Sequence, residues 1–319
     1  MKISKSAFYA TIYSILAFCF TLYVFPFYIN GDQSHYREFY ANCFYSAYTL
    51  EQQFFCFQNT LGSTEPGYFL ISKFFNLLSV SKDIYIAIAN STLTFISTIL
   101  IFRYYNVVWH RHLFMLLVLS NYYFIVMLFA AERLKFGFIF LVLALLFTQR
   151  KRMFLFATAI LNHAQMAIMI APLYLTKVFS KETRWLTKVL VVAGGLVLFG
   201  GMLYFLQGHL QAKLEAYSTL EGGSVGLMGV LKTAVFIVLA AISIRKSIAI
   251  IAGSPIIVLA YFLGSDRIGM LAFILYVGLV LYYKNKMDLM LLIVMLYFSY
   301  KSIEFVSNIF VYGNGYNFS

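Results

Sequence analysis

The stretch GDQSHYRE at residues 31–38, continued by STEPGY at residues 63–68, interrupts a chain that is otherwise built from long apolar runs. Residues 30–82 hold four of the twelve acidic residues, namely Asp32, Glu38, Glu51 and Glu65. Charged groups at a membrane are costly unless water or partner groups solvate them. We therefore interpret this segment as one wall of a polar site that lies over a helical membrane domain.

The composition is that of an all-α polytopic membrane protein. Of the 319 residues, 62% are hydrophobic and 11% are charged, and the mean hydropathy is +0.82; soluble globular domains do not reach these values. Strands of a membrane barrel would alternate in polarity, whereas the apolar runs here are continuous. The net charge of +12 is spread over short loops, which argues against the basic face that a nucleic-acid-binding protein needs.

The basic loops predict the topology, because cytoplasmic loops are enriched in Lys and Arg. Lys2 and Lys5 place the N-terminus in the cytoplasm. Residues 7–29 form an uncleaved first span, since the run is too long for a signal peptide and lacks its cleavage site. Further spans are predicted at residues 84–102, 113–130, 136–147, 189–206, 230–244, 248–263, 268–283 and 287–307. The expected architecture is a single integral membrane domain, residues 1–319, with about nine spanning helices.

One apolar segment within the outer loop, residues 30–83, is predicted to lie at the membrane surface. Residues 66–80 carry Lys73 in their middle and are shorter than the roughly 20 residues that a crossing helix needs. Pro66 at the first position is typical of a helix start. We therefore predict an interfacial helix here.

A second segment, residues 153–176, is predicted to be re-entrant. It is long enough to span, but NHAQ at residues 162–165 interrupts it. If it crossed, the basic loop that follows would lie outside. Irregular backbone at membrane depth occurs only where protein or a wet cavity surrounds it, so His163 is expected near the tip, facing such a cavity. The outer loop at residues 207–229 is the next polar segment.

Two of the three cysteines, Cys43 and Cys56, lie in the outer loop, and Cys19 lies in the first span. If the loop faces an oxidising compartment, Cys43 and Cys56 could form a disulfide. The alternative is two free thiols, and the sequence gives no geometry that decides between them.

Polar and titratable side chains collect on the predicted outer face of the membrane, whereas the inner face carries little besides Lys and Arg. This asymmetry predicts a site at the outer leaflet. The outer set is Asp32, His35, Arg37, Glu65, Arg133, His209, Lys213, Tyr217, Asp266 and Arg267, with His163 below them.

Arginines at two of these turns suit the capture of phosphate. The planar guanidinium of Arg133 matches a phosphate or diphosphate in a bidentate manner, although it could instead only extend to lipid headgroups. Arg267 follows Asp266 directly. This pair is either a local ion pair or a second phosphate contact in which Asp266 orients the arginine or binds a sugar hydroxyl.

Three further residues are candidates for proton transfer or positioning. Asp32 or His163 could act as a general base for a hydroxyl in a shielded cavity. Asp32 could equally be a solvated anchor, and His163 a hydrogen-bond partner between helices. Glu65 could position the base or the acceptor, or only favour the start of a helix.

Taken in order, these residues resemble the pattern of the EpsG family of bacterial polysaccharide polymerases, which is close in role to the Wzy O-antigen polymerases. The matching positions are Asp32 with Tyr36 and Tyr40, Glu65-Pro66-Gly67-Tyr68, Arg133, His163, Lys213 with Tyr217, and Asp266-Arg267-Ile268. They cover nearly the whole chain. The chain departs from the family at Leu134, where Gln is usual, and at residues 162–165, where Phe-His-x-Ser is usual.

The resemblance implies a GT-C-like glycosyltransferase at the outer leaflet of the bacterial cytoplasmic (inner) membrane. Such an enzyme moves a growing glycan from undecaprenyl diphosphate onto the non-reducing end of a new lipid-linked repeat, as in O-antigen and lipopolysaccharide biosynthesis. Arg133, Arg267 and Lys213 would bind the diphosphate, and Tyr36 and Tyr217 would contact sugars. The sequence lacks paired His and Cys at zinc-site spacing, so we expect no metal and no cofactor.

Two alternative functions use the same lipid-linked substrate. An O-antigen ligase-like glycosyltransferase would share the outer arginines but use another acceptor. A flippase of lipid-linked oligosaccharide would show repeats and a polar through-path, and neither is clear in this sequence. A chain-length-regulating protein is a candidate partner, although no residue pattern in the sequence predicts it.

Overall fold

The computed structural model describes residues 5–105, 107–180, 185–186, 194, 227–263, 265–284 and 286–316. This part of the chain is helical and contains no strand, so the all-α class is confirmed. The chain forms two compact units, Met1–Ala167 with Leu292–Ser319, and Ile168–Leu291.

The helices follow one another with short connections. They are α1 (Lys5–Val24), a 3-10 turn (Phe25–Phe27), α2 (Asp32–Asn42), α3 (Leu50–Leu61), α4 (Pro66–Leu77), α5 (Lys82–Tyr104), α6 (Val108–Leu119), α7 (Tyr122–Phe129), α8 (Glu132–Leu146), α9 (Gln149–Asn162), α10 (Met166–Ser180), α11 (Leu227–Ser243), α12 (Lys246–Leu263), α13 (Ser265–Lys284) and α14 (Leu289–Tyr312).

Three described helices are long and apolar enough to cross a membrane: Lys5–Phe27, Lys82–Tyr104 and Leu289–Tyr312. Helices α6 and α7, bent by 54° at a short break, add a fourth if they count as one span. Several other apolar helices are shorter. The described residues thus contain three to four candidate spans, which is compatible with a helical membrane protein, and the predicted total of about nine is not confirmed. The predicted span at 189–206 lies almost wholly outside the described residues.

Helix α4 begins at Pro66, as the sequence predicts, because proline has no N–H to lose at the first helical position. It ends at Leu77 rather than residue 80. The chain leaves the helix through Ser79, which adopts a left-handed φ of 56°, and the N–H groups of Ser79 and Val80 bond back to carbonyls of α4.

The interruption predicted at residues 162–165 is also present. Helix α9 ends at Asn162, and His163 has an extended backbone with φ −158° and ψ 117°. Helix α10 begins at Met166. Helix α9 starts at Gln149, four residues before the predicted segment.

Arg37 fixes α2 to the end of the first span. Its guanidinium donates to the carbonyls of Phe25 and Tyr28, at 2.8 and 3.1 Å, and pairs with Asp83 at 2.9 Å. The carbonyls at the end of a helix have no partner within it. Arg37 supplies donors to two carbonyls at this end, of which that of Phe25 also accepts from the Tyr28 N–H. It attaches them to the first turn of α5, so α2 has a defined orientation over the ends of α1 and α5.

A disulfide between Cys43 and Cys56, with Cα atoms 5.5 Å apart, joins the end of α2 to α3. Of the two alternatives that the sequence left open, the structure has the disulfide, and Cys19 is free and exposed.

Removal of this disulfide should destabilise the protein. Closing a loop of about 15 residues restricts the unfolded chain by roughly 3 kcal/mol, so a Cys43→Ala/Cys56→Ala variant should unfold more easily by about that amount. Denaturation in detergent, with and without reductant, measures the effect. Cys19→Ser is the control that should change nothing. An unchanged wild-type midpoint in reductant strong enough to free both thiols would contradict the prediction.

In the second unit, α11, α12 and α13 pack against one another. Phe236 and Phe273 meet edge to face. A Cβ on Gly253 would come within 2.5 Å of Ile237, so only glycine allows α12 to approach α11 this closely.

Candidate functional site

Three helix ends of the first unit converge on one carboxylate. Glu65 lies just before α4, Arg133 lies in the first turn of α8, and His163 lies between α9 and α10. Glu65 Oε2 lies 3.0 Å from Arg133 Nη1, and Glu65 Oε1 lies 2.5 Å from His163 Nδ1. Sequence reasoning singled out each of these three residues, and the structure brings them together.

Two neighbouring groups complete the surroundings of Glu65. The Ser63 hydroxyl donates to Oε2 at 2.9 Å, and the backbone N–H of Ala164 donates to Oε1 at 3.2 Å. Both carboxylate oxygens therefore accept two protein contacts each. This saturation holds Glu65 in a single orientation.

Glycines allow these helix ends to approach one another. A Cβ on Gly67 would lie 2.8 Å from the side chain of Asn162, so α4 meets the end of α9 without space for a larger residue. A Cβ on Gly137 would lie 2.6 Å from Met166 and 3.3 Å from His163. The helix break is thus packed against both α4 and α8.

The environment of Glu65 favours its charged form. Burial raises the pKa of this carboxyl, but the hydrogen bond and charge of His163, the charge of Arg133 and the Ser63 hydroxyl outweigh it, and the pKa falls to about 2. Glu65 is therefore an anion at physiological pH. It can hold Nδ1–H of His163, which leaves Nε2 as the imidazole nitrogen available for proton transfer.

The three side chains of the cluster are partly exposed. The side chains of His163, Glu65 and Arg133 remain 11%, 14% and 16% exposed, so each of them reaches the protein surface in part. His163 Nε2 lies 3.2 Å from Gln165 Oε1. The direction of this hydrogen bond depends on the imidazole tautomer and on the orientation of the amide.

Arg133 also contacts Tyr36, another predicted site residue. Its Nε donates to the Tyr36 hydroxyl at 3.3 Å. In the described part of the chain, the Nη2 group of Arg133 has no protein partner, so it can donate to a ligand. Burial raises the pKa of Tyr36, and the charge of Arg133 opposes this effect.

Asp32 is not part of the cluster. It is exposed at the start of α2 and makes no hydrogen bond or ion pair with Glu65, Arg133 or His163. Only the inner face of α2 is buried, and Asp32 lies outside this face. It does lie one turn before Tyr36, and its charge contributes to the raised pKa of that phenol, after burial and the nearer charges.

The structure does not test the remaining predicted ligands. Asp266 and Arg267 lie in the first turn of α13, in the second unit, and their side chains are outside the described part. Lys213 and Tyr217 are outside the described residues altogether. Within the residues that the structure describes, no group of three or more His, Cys, Asp or Glu could hold a metal ion.

Sequence reasoning missed several buried polar side chains. The predicted spans at 113–130 and 136–147 leave Glu132 and Lys135 in an outer turn, but both side chains are fully buried. Their spacing of three residues places them on one helix face, and Arg133 lies about 100° away. This spacing was the available signal. Lys82, at the start of α5, is buried with them.

Comparison with known proteins adds nothing to the geometry: no protein-family model, curated protein or solved structure matches the chain.

Stability should depend on pH through Glu65. Its folded pKa of about 2 is below its ordinary value of 4.5, so its contribution is present above pH 4.5 and is lost as the pH falls towards 2. The shift corresponds to about 3 kcal/mol. The stability advantage of wild type over Glu65→Gln should therefore shrink below pH 4.5 in denaturation experiments. Glu38→Gln, at an exposed position, is the control. An advantage that stays constant from pH 7 to pH 3 would contradict this assignment.

Proposed function

We propose that the protein is a membrane glycosyltransferase that polymerises oligosaccharide repeats carried on undecaprenyl diphosphate. The observation that supports this most is the meeting of a carboxylate, an imidazole and a guanidinium at one partly exposed point, Glu65, His163 and Arg133. Transfer from a lipid diphosphate needs a base for the attacking hydroxyl and a cation for the leaving diphosphate. These three side chains supply both.

His163 acts as the general base in this proposal. Its Nε2 takes the proton of the acceptor hydroxyl, while Glu65 holds the ring through Nδ1–H and stabilises the imidazolium that forms. Asp32 was the alternative base. The geometry favours His163, because Glu65 holds its ring and the backbone N–H of Ala164 in turn holds Glu65, whereas Asp32 is exposed and lies outside the cluster.

Arg133 receives the leaving group. The acceptor oxygen bonds to the anomeric carbon, the bond from this carbon to the phosphate oxygen breaks, and its electron pair stays with the diphosphate. The negative charge grows on an oxygen that the Nη2 group of Arg133 can reach. A preorganised donor at such a position is often a large contribution to rate acceleration.

The proposal also covers how the chain is arranged in the membrane. We place the outer loop, with its disulfide, and this site at the outer leaflet of the bacterial inner membrane, with a cytoplasmic N-terminus. We further propose about nine spans, a GT-C-like arrangement and a re-entrant break at His163. The disulfide supports this orientation, because disulfides persist in oxidising compartments. Asp266, Arg267, Lys213 and Tyr217 stay proposed substrate contacts.

The test is the surface-polysaccharide banding pattern of a deletion strain. The deletion should leave a band of single repeats, and only an active chain should restore the ladder. Loss of even the single repeat would indicate a flippase. A ladder that remains on the lipid carrier without transfer to its final acceptor would indicate a ligase. Either of these patterns would overturn the proposal.

A further inference from the structure

A second cluster of polar side chains lies in the interior of the first unit. Lys82 Nζ lies 2.6 Å from Glu132 Oε2, and the Tyr68 hydroxyl donates to the same oxygen at 2.8 Å. The Lys82 and Glu132 side chains are 8% and 0% exposed, and Tyr68 is fully buried. We call Lys82, Glu132 and Tyr68 the inner cluster. None of its members takes part in the chemistry proposed above.

Two of the three members of the inner cluster lie on helices that also position the site. Glu132 immediately precedes Arg133 on α8, and Tyr68 follows Glu65 by three residues at the start of α4. Adjacent helical residues point about 100° apart. An anchored Glu132 therefore fixes the rotation of the first turn of α8, and with it the direction of Arg133.

Tyr36 contacts both the site and the inner cluster. Its hydroxyl accepts from Arg133, and its ring lies 5.6 Å from Lys82 Nζ. The rings of Tyr40 and Tyr85 lie at 5.4 and 5.3 Å from the same ammonium. Cation–π contacts of this kind hold a buried lysine in a defined position. Lys82 is thus linked to Arg133 through Tyr36 as well as through Glu132.

Stability alone does not account for the inner cluster. A buried ion pair is generally no more stable than a well-packed apolar pair of similar volume. In addition, Glu132 Oε1 is buried and has no hydrogen-bond partner in the described part of the chain, which is unfavourable. Ionisable groups buried in a membrane domain usually serve function.

We propose that Lys82, Glu132 and Tyr68 are positioning residues that set the relative placement of Arg133 and Glu65, and so the geometry between the bound diphosphate and the base. This inference rests on the proposed function. Displacement of a reacting group by about 1 Å can reduce a rate about 100-fold. The inner cluster therefore affects turnover more than substrate affinity.

A double variant separates positioning from folding. Lys82→Met/Glu132→Gln removes both charges of the pair, and the buried Lys135 keeps its hydrogen bonds to Asn90 Oδ1 and the Leu128 carbonyl, so the variant should keep a melting temperature close to that of wild type. With repeats extracted from the deletion strain as substrate, its kcat should fall about 10- to 100-fold, with KM nearly unchanged. Wild-type kcat in the folded double variant would overturn the proposal. If the double variant does not fold, Tyr68→Phe decides in the same way, since it removes only one hydroxyl.

A spectroscopic readout tests the positioning without any assay of activity. In protein labelled with ¹⁵N-histidine, the Nδ1–H of His163 bonded to Glu65 should give a downfield proton signal that Glu65→Gln abolishes. The double variant should lose or shift this signal, and an unchanged signal would overturn the positioning role. If wild type forms no polymer while the double variant loses the signal, the proposed function fails and the positioning survives.

Discussion

Replacement of Arg133 by alanine should reduce repeat-unit polymerisation about 10²- to 10³-fold, which is the usual effect of removing one preorganised donor from a developing anion. Arg133 is the cation of the cluster, and its Nη2 group has no partner among the described residues, whereas Glu65 and Tyr36 hold its other nitrogens at 3.0 and 3.3 Å. The loss should appear mainly in kcat. The measurement is the initial rate of ladder formation with purified protein.

Two matched variants show whether the loss of activity in Arg133→Ala comes from the planar guanidinium at this position. Arg133→Lys keeps the charge but loses the planar donor pair, so it should retain only part of the activity. Arg150→Ala removes an exposed arginine that follows α8 and should leave the rate unchanged. If Arg133→Ala is as active as Arg150→Ala, Arg133 does not bind the leaving group.

The second large effect should come from His163. A general base contributes about 10²- to 10⁴-fold, so His163→Ala should lose that factor while the protein still folds. Glu65→Gln should lose less, because the imidazole stays but its orientation and its stabilised positive charge are weakened. The rate of polymerisation over a range of pH measures both variants.

His35→Ala is the control for this prediction, because His35 is an exposed histidine on α2. The alternative base gives a further comparison. If Asp32→Asn abolishes polymerisation while His163→Ala retains it, the base is Asp32, and His163 is only a structural partner of Glu65.

The sequence predicted those features that depend on local chemistry. Proline after Ser63 and Thr64 marked the start of α4, and a polar run within an apolar segment marked the break at His163. Charge asymmetry placed Glu65, Arg133 and His163 in one larger predicted set, and in the structure these three side chains are in contact. These predictions succeeded because backbone rules and the cost of buried charge act at the level of a few residues.

Features that depend on tertiary packing could not be predicted. The disulfide required the Cα distance between Cys43 and Cys56, which the sequence does not contain. The burial of Glu132 could not be predicted from the local sequence, because its partners Lys82 and Tyr68 come from other helices. The exposure of Asp32 depends on the orientation of α2, which its position in the chain does not give, and its role as the base stays a prediction.

The most direct test of the central claim uses purified protein in liposomes, supplied with lipid-diphosphate-linked repeats extracted from the deletion strain. If Glu65, Arg133 and His163 form the catalytic centre of a polymerase, wild type should convert these repeats into a ladder and release the lipid diphosphate. Arg133→Ala and His163→Ala should release almost none. A wild-type protein that folds, keeps its disulfide and leaves the repeats unchanged would contradict the account.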